Sequence, residues 1–162
     1  GHEDQPVLLE TDRLDIGDAS SENAHRYENG DETMRRMEST FEGNDDEIAV
    51  TAEVQDSLEP VRFEIAVHPA NVGVRIHRMG GHENSHQAVE VWVDGEAVGV
   101  WLAPTSNIDH RWIEDGYQIP VEFTAGRELL KIELVPVEGA PAWSAARYTV
   151  HCIVPRSAMG EE

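Results

Sequence analysis

Three groups of side chains in this sequence have the types and spacing that chemistry requires. The first is His82-Glu83-Asn84-Ser85-His86, which matches in form the H–E–x–x–H pattern of zinc proteases. That pattern works on a helix, where two imidazoles four residues apart share a face and bind Zn²⁺ while the glutamate acts as base. Here Gly80 and Gly81 precede it, Asn84 and Ser85 are weak helix formers, and Gln87 leads into an alternating apolar run. The expectation is therefore a polar connection between strands, with no bound metal. His82, His86 and Glu90 also offer two imidazoles and a carboxylate to a cupin-like metal centre. Such a centre needs H–x–H so that both rings point inward from one strand, and His110 or His151 would have to complete it from elsewhere.

The second group is Asn107–Trp112, NIDHRW. Asp109, His110 and Arg111 suit the hydroxyls of a sugar, Arg111 as a bidentate donor, and Trp112 offers a stacking surface. The same residues also suit a structural role, with Arg111 paired to a carboxylate and Trp112 buried under a long loop. The third group is Trp92 and Trp101, one in each arm of a hairpin whose turn signal is Asp94-Gly95. An unbroken register pairs Val93 with Glu96, Trp92 with Ala97, Glu90 with Gly99 and Ala88 with Trp101. It puts Val89, Val91, Val93, Val98 and Val100 on a core face and both tryptophans on the other, roughly 13 Å apart along the strands. Two indoles flanking a carboxylate suit a pyranose ring; a covering loop or second subunit would bury them equally well. Oxygen ligands for a structural calcium are present in Asn44–Glu47 and Asp12–Asp18, but without a dedicated loop's spacing, so solvated acidic faces are expected and no cofactor. A Gly-rich phosphate cradle and a G–x–S–x–G elbow are both missing.

The elements that must position these groups are strands. Val61–His68 alternates Val61, Phe63, Ile65 and Val67 against Arg62 and Glu64, and Val72, Val74 and Ile76 repeat the pattern. With Glu47–Val54, the two hairpin arms, Gln118–Phe123, Leu129–Val137 and Tyr148–Val154, about eight short strands follow one another with turn signals between them. That count and spacing predict an all-β fold, an antiparallel β-sandwich of jelly-roll type. Residues 1–44 form a polar N-terminal segment expected to pack on or complete the sandwich, with 45–162 as its core, one domain overall. Within that segment Asp31–Ser39 reads as a short helix, capped by Asp31 with Met34 and Met37 three apart. Gly1-His2 reads as a tag remnant, so the natural chain is expected to extend further. Cys152 is expected in the core; Trp143 and Tyr148 are expected to close the sandwich.

Charge limits the partners. In 162 residues, 32 Asp and Glu face 12 Lys and Arg, a formal charge of −20 in which Lys131 is the lone lysine. Duplex affinity is built from cations that neutralise phosphates, so nucleic acid is excluded, and anionic membrane surfaces are disfavoured for the same reason. One cysteine allows no internal disulfide. The acid excess fits a salt-adapted source or an ordinary acidic protein kept soluble by charge. Arg75, Arg78 and Arg147 are each expected to have an internal acidic partner.

From Asn71 to Tyr148 the sequence runs NVGVRIHRM, QAVEVWVDGEAVGVW, SNIDHRW, IPVEFTAGRELLKIEL and PAWSAARY. This series resembles the β-sandwich module of bacterial and archaeal proteins related to glycoside hydrolase family 172, which act on difructose anhydrides and arabinofuranosides. Those modules have a similar VYVDG hairpin, an N–x–x–HRW element and a T–x–GK strand start, where Thr124–Arg127 places Arg for Lys. Asp12–Tyr27 is similar to the module's N-terminal edge. The resemblance implies a jelly roll in a carbohydrate-processing context, often oligomeric. The hydrolases' catalytic carboxylates match no positions here. The expectation is a non-catalytic sugar-binding or accessory module with Trp92, Trp101, Asp109, His110, Arg111 and Trp112 as contacts. The alternatives are a structural, homo-oligomeric jelly roll without ligand and a cupin-like metal enzyme.

Overall fold

The computed structural model describes residues 5–29, 34–39, 50–80, 87–102 and 113–159. The first half of the described chain contains β1 (Pro6–Asp15), α1 (Ala19–Ala24), β2 (Glu28–Asn29), β3 (Met34–Ser39), β4 (Val50–Ser57), β5 (Val61–Ala66) and β6 (Val74–Gly80). The second half contains β7 (Ala88–Val93), β8 (Glu96–Leu102), β9 (Ile113–Ile119), β10 (Leu129–Pro136), β11 (Trp143–Ala145) and β12 (Arg147–Pro155). The strands form a four-stranded sheet in the order β1-β12-β6-β9, a five-stranded sheet β2-β5-β10-β7-β8, and a smaller sheet β11-β4-β3. Each of these strand pairs is antiparallel.

Period-two alternation decides which side of each strand is buried. β5 turns Val61, Phe63 and Ile65 inward, and β12 does the same with Tyr148, Val150, Cys152 and Val154. Phe63 stacks on Tyr148 with ring centroids 4.8 Å apart, so the two main sheets meet face to face. Burying an apolar side chain of this size contributes about 1.5–3 kcal/mol. Trp143 and Tyr148 are both buried, with the indole N–H donating to the Tyr148 hydroxyl at 2.9 Å. Cys152 is a core residue, and its Sγ accepts the His68 N–H at 3.3 Å.

Two of the expected elements change. Met34–Ser39 is a strand, not the end of a helix: six consecutive residues pair with β4, from Met34 opposite Gln55 to Ser39 opposite Val50. A pairing partner far along the chain outweighs the two methionines' helical spacing. The strand expected over Gln118–Phe123 instead ends at Ile119. Pro120 lacks the N–H a ladder needs, and Val121–Phe123 forms a turn of 3₁₀ helix. The polar N-terminal stretch contains β1, which runs along β12 from Pro6 opposite Pro155 to Asp15 opposite Arg147.

Candidate functional site

The hairpin of β7 and β8 departs from the unbroken register. Asp94 and Gly95 both have positive φ, 50° and 87°, as a two-residue turn of this hand requires. Val93 faces Glu96 and Trp92 faces Ala97, as expected, but Val91 then faces Gly99, so Val98 is an extra, bulged residue. Beyond it every side chain of β8 changes face. Val100, expected in the core, sits opposite Glu90 and is 48% exposed; Trp101 sits opposite Val89 and is 2% exposed. Trp92 and Trp101 therefore lie on opposite faces of the sheet and form no common platform. Trp92 is half-buried on the outer face, opposite Glu133 of β10, with its N–H 3.3 Å from the Glu90 carboxylate. Asp109, His110, Arg111 and Trp112 lie outside the described residues, as do His82 and His86. Among the described residues, no group of three or more His, Cys, Asp and Glu side chains is arranged to hold a metal. Within Asp12–Asp18 the aspartates are engaged: Asp12 with His25, Asp15 with Arg13 and Arg147, and Asp18 with the N–H groups that open α1.

Trp101 belongs to a buried polar cluster at one end of the sandwich. Arg78, buried on β6, forms a two-pronged pair with Asp115 of β9, both bonds 3.0 Å. Its remaining N–H groups reach Gln87 Oε1 at 2.7 Å and the Ser144 carbonyl at 3.1 Å. Gln87 Oε1 also accepts the Ser144 N–H, and Trp101 Nε1 donates to Asp115 at 3.2 Å. The guanidinium lies 3.8 Å from the centre of the Trp143 ring. With its charge and donors engaged by Asp115, Gln87 and Ser144, Arg78 ties β6, β9 and β11 together.

The open site lies on the outer face of the four-stranded sheet. Register places its side chains in rows across β1, β12, β6 and β9. One row is Glu10, His151, Arg75 and Gln118; the next is Arg13, Thr149, His77 and Gly116. Between them and Asp15, Arg147 and Met79 lies a groove of about 330 Å³ lined by His77, Gly116, Arg147, Thr149 and His151, with Met79 and the Arg78–Asp115 pair also at its wall. Gly116 keeps it open: a Cβ there would stand 3.2 Å from His77 Nδ1. His77 and His151 meet edge to face with centroids 5.0 Å apart, and His77 Nε2 and His151 Nδ1 are buried without a hydrogen-bond partner among the described residues. An unsatisfied buried polar atom costs about 1–3 kcal/mol, which a hydrogen-bonding ligand recovers if the rings turn toward it. Burial, then the neighbouring His151 and Arg75, hold the His77 pKa below its usual value.

A second depression, of about 300 Å³, lies on the five-stranded sheet beside Arg26, Arg62, Lys131 and Glu133. Both of its arginines are spent on carboxylates, Arg62 on Glu133 at 3.0 Å and Arg26 on Glu64 at 3.6 Å. The groove on the four-stranded sheet is thus the better-equipped site. Sequence reasoning passed over His77, Thr149 and Gly116. Their outward position was legible in the alternation, but not that β6 lies between β12 and β9.

No protein-family model matches the chain, and no curated protein does. Solved structures do resemble it. One is the carbohydrate-binding module CBM6cm-2 of Cellvibrio mixtus lichenase 5A, in complex with cellotriose. It is 11% identical, with a TM-score of 0.51 over 88% of this chain and 97% of that one. Another is the family 35 carbohydrate-binding module from Clostridium thermocellum, 10% identical, with a TM-score of 0.45 over 90% of this chain and 97% of that one. The first likeness establishes the fold that the strand pattern predicts, an antiparallel, all-β sandwich of jelly-roll type.

Proposed function

We propose that this chain is a non-catalytic sugar-binding β-sandwich whose ligand lies in the groove of the four-stranded sheet. The carrying observation is the groove itself: an opening of about 330 Å³ on a jelly roll, lined from three adjacent strands by His77, Gly116, Arg147, Thr149 and His151. Imidazole, hydroxyl and guanidinium groups spaced one strand apart suit the hydroxyls of a sugar. The fold agrees, since the similar CBM6cm-2 holds cellotriose. The family-172-like sequence series supports a role as accessory module of a glycoside-hydrolase system. A glycan array tests the reading. Wild-type chain should retain at least one saccharide, and Gly116→Leu, which fills the groove, should lose it. An array without any retained saccharide overturns the reading. Loss of binding in Trp92→Ala but not in Gly116→Leu moves the site to the five-stranded sheet.

A second reading, the homo-oligomeric jelly roll, draws on one observation. β8 is an edge strand with Val100 and Leu102 exposed, 48% and 71%. Light scattering that shows a monomer removes it.

A further inference from the structure

We propose that the groove of the four-stranded sheet takes an anionic saccharide, one bearing a carboxylate or a sulfate ester, in preference to a neutral one. This rests on the sugar-binding reading above and adds the ligand's charge. The observation is a local concentration of positive charge. Acids outnumber bases 32 to 12 in the chain, yet on the two central strands of this face the outward residues are Arg147, Thr149 and His151 on β12 and Arg75 and His77 on β6. The acids of these rows stand at the margins, Glu10 and Asp15 on β1 and Glu114 on β9, and Asp115, which also lines the groove, is held by Arg78. Asp15 is shared by two arginines, Arg147 at 2.9 Å and Arg13 at 3.2 Å, so one carboxylate faces two positive charges. Arg75 is exposed and forms no ion pair among the described residues.

The opposite outer face shows what the chain does elsewhere with its arginines. There Arg26, Arg62 and Arg127 are each matched, to Glu64, Glu133 and Asp94, and Lys131 is the cation without an ion pair among the described residues. Two arginines on one carboxylate and a third with no ion pair among the described residues, beside a polar groove in a molecule whose overall field repels anions, have a use when the ligand carries the missing negative charge. Guanidinium is well suited to it, because its planar fork meets two oxygens of a carboxylate or sulfate at once.

Isothermal titration calorimetry of the whole chain, at the lowest salt at which circular dichroism shows it folded, tests the proposal. The probes are oligogalacturonate, a sulfated galactan oligosaccharide and a neutral galactan oligosaccharide of matched length. An anionic probe should bind at least about tenfold more tightly than the neutral one, a gap that added salt narrows. Arg75→Glu, a change at an exposed side chain, should bring the ratio close to one, and Arg147→Gln should reduce it. Equal affinity for neutral and anionic probes overturns the charge preference and leaves the sugar-binding reading standing. An anionic preference that survives both variants places the anion elsewhere and overturns the proposal. No binding of any probe, together with a blank glycan array, overturns both readings.

Discussion

Two histidines show how one residue type is tuned in opposite directions. Burial acts to lower the pKa of His25, but the Ser21 carbonyl 2.6 Å from Nδ1 and the Asp12 carboxylate 2.6 Å from Nε2 together raise it above 6.5. The charged ring joins α1 to β1, and Asp12 in turn accepts the Ala66 N–H at the end of β5. A raised folded-state pKa stabilises the fold in full below the unfolded value, and that contribution fades as pH rises through the folded pKa. His77 has the opposite sign: its contribution is present above 6.5 and is lost as pH falls through its lowered value. In His25→Gln, urea unfolding should therefore show less loss of stability on going upward from pH 6.5 than the wild type shows. Identical slopes in the two proteins would refute the assignment of His25 as the group that is raised.

At the scale of elements, the register beyond a single bulged residue decides which aromatic ring enters the core. Deleting Val98 should close the bulge and, because Gly99, Val100 and Trp101 keep their partners, leave Trp101 opposite Val89 in the core. Tryptophan fluorescence should stay at the wild-type wavelength, whereas Trp101→Ala should destabilise by about 3–5 kcal/mol in urea unfolding, the range for losing a large aromatic from a core. A red shift on deleting Val98 would mean that the bulge itself, and not the register beyond it, holds the ring. This strand also marks where the sequence stops being legible. Val61–Ala66, Ala88–Val93 and Leu129–Pro136 announce themselves because their alternation is unbroken and buried on one face. The bulge leaves no such signal, since Val98, Val100 and Leu102 alternate equally well in either register. The groove was hidden for a different reason: its walls come from β12 and β6, far apart in sequence, and nothing local states that they are neighbours. Met34–Ser39 was misread likewise, because its partner β4 lies beyond the reach of a local pattern.

For the molecule as a whole, the net charge of −20 is the dominant long-range term. The core is lined by Val, Ile, Leu and aromatic side chains, and among the described residues no Asp or Glu side chain is fully buried. Raising KCl from about 0.05 M to about 1 M shortens the screening length to about 3 Å and relieves that repulsion. The melting temperature should rise by at least about 3 °C, the shift that about 1 kcal/mol produces in a chain of this size. A flat or falling melting temperature in a calorimetric salt series would remove the case for a salt-adapted protein. The same screening should weaken an anionic saccharide's hold on the groove, so stability and ligand affinity would move in opposite directions with salt.

The packing around Arg78 has an optical consequence. The indoles of Trp101 and Trp143 are held 5.1 Å apart at 69°, with a fixed positive charge beside both. Transition dipoles at that distance and angle share their excitation, so circular dichroism should contain paired bands of opposite sign that vanish in either single Trp→Phe variant. The couplet would report on one end of the sandwich alone, where β6, β8, β9 and β11 converge. The protein thus carries a built-in chromophore pair with which the packing behind Arg78 can be followed as the fold opens.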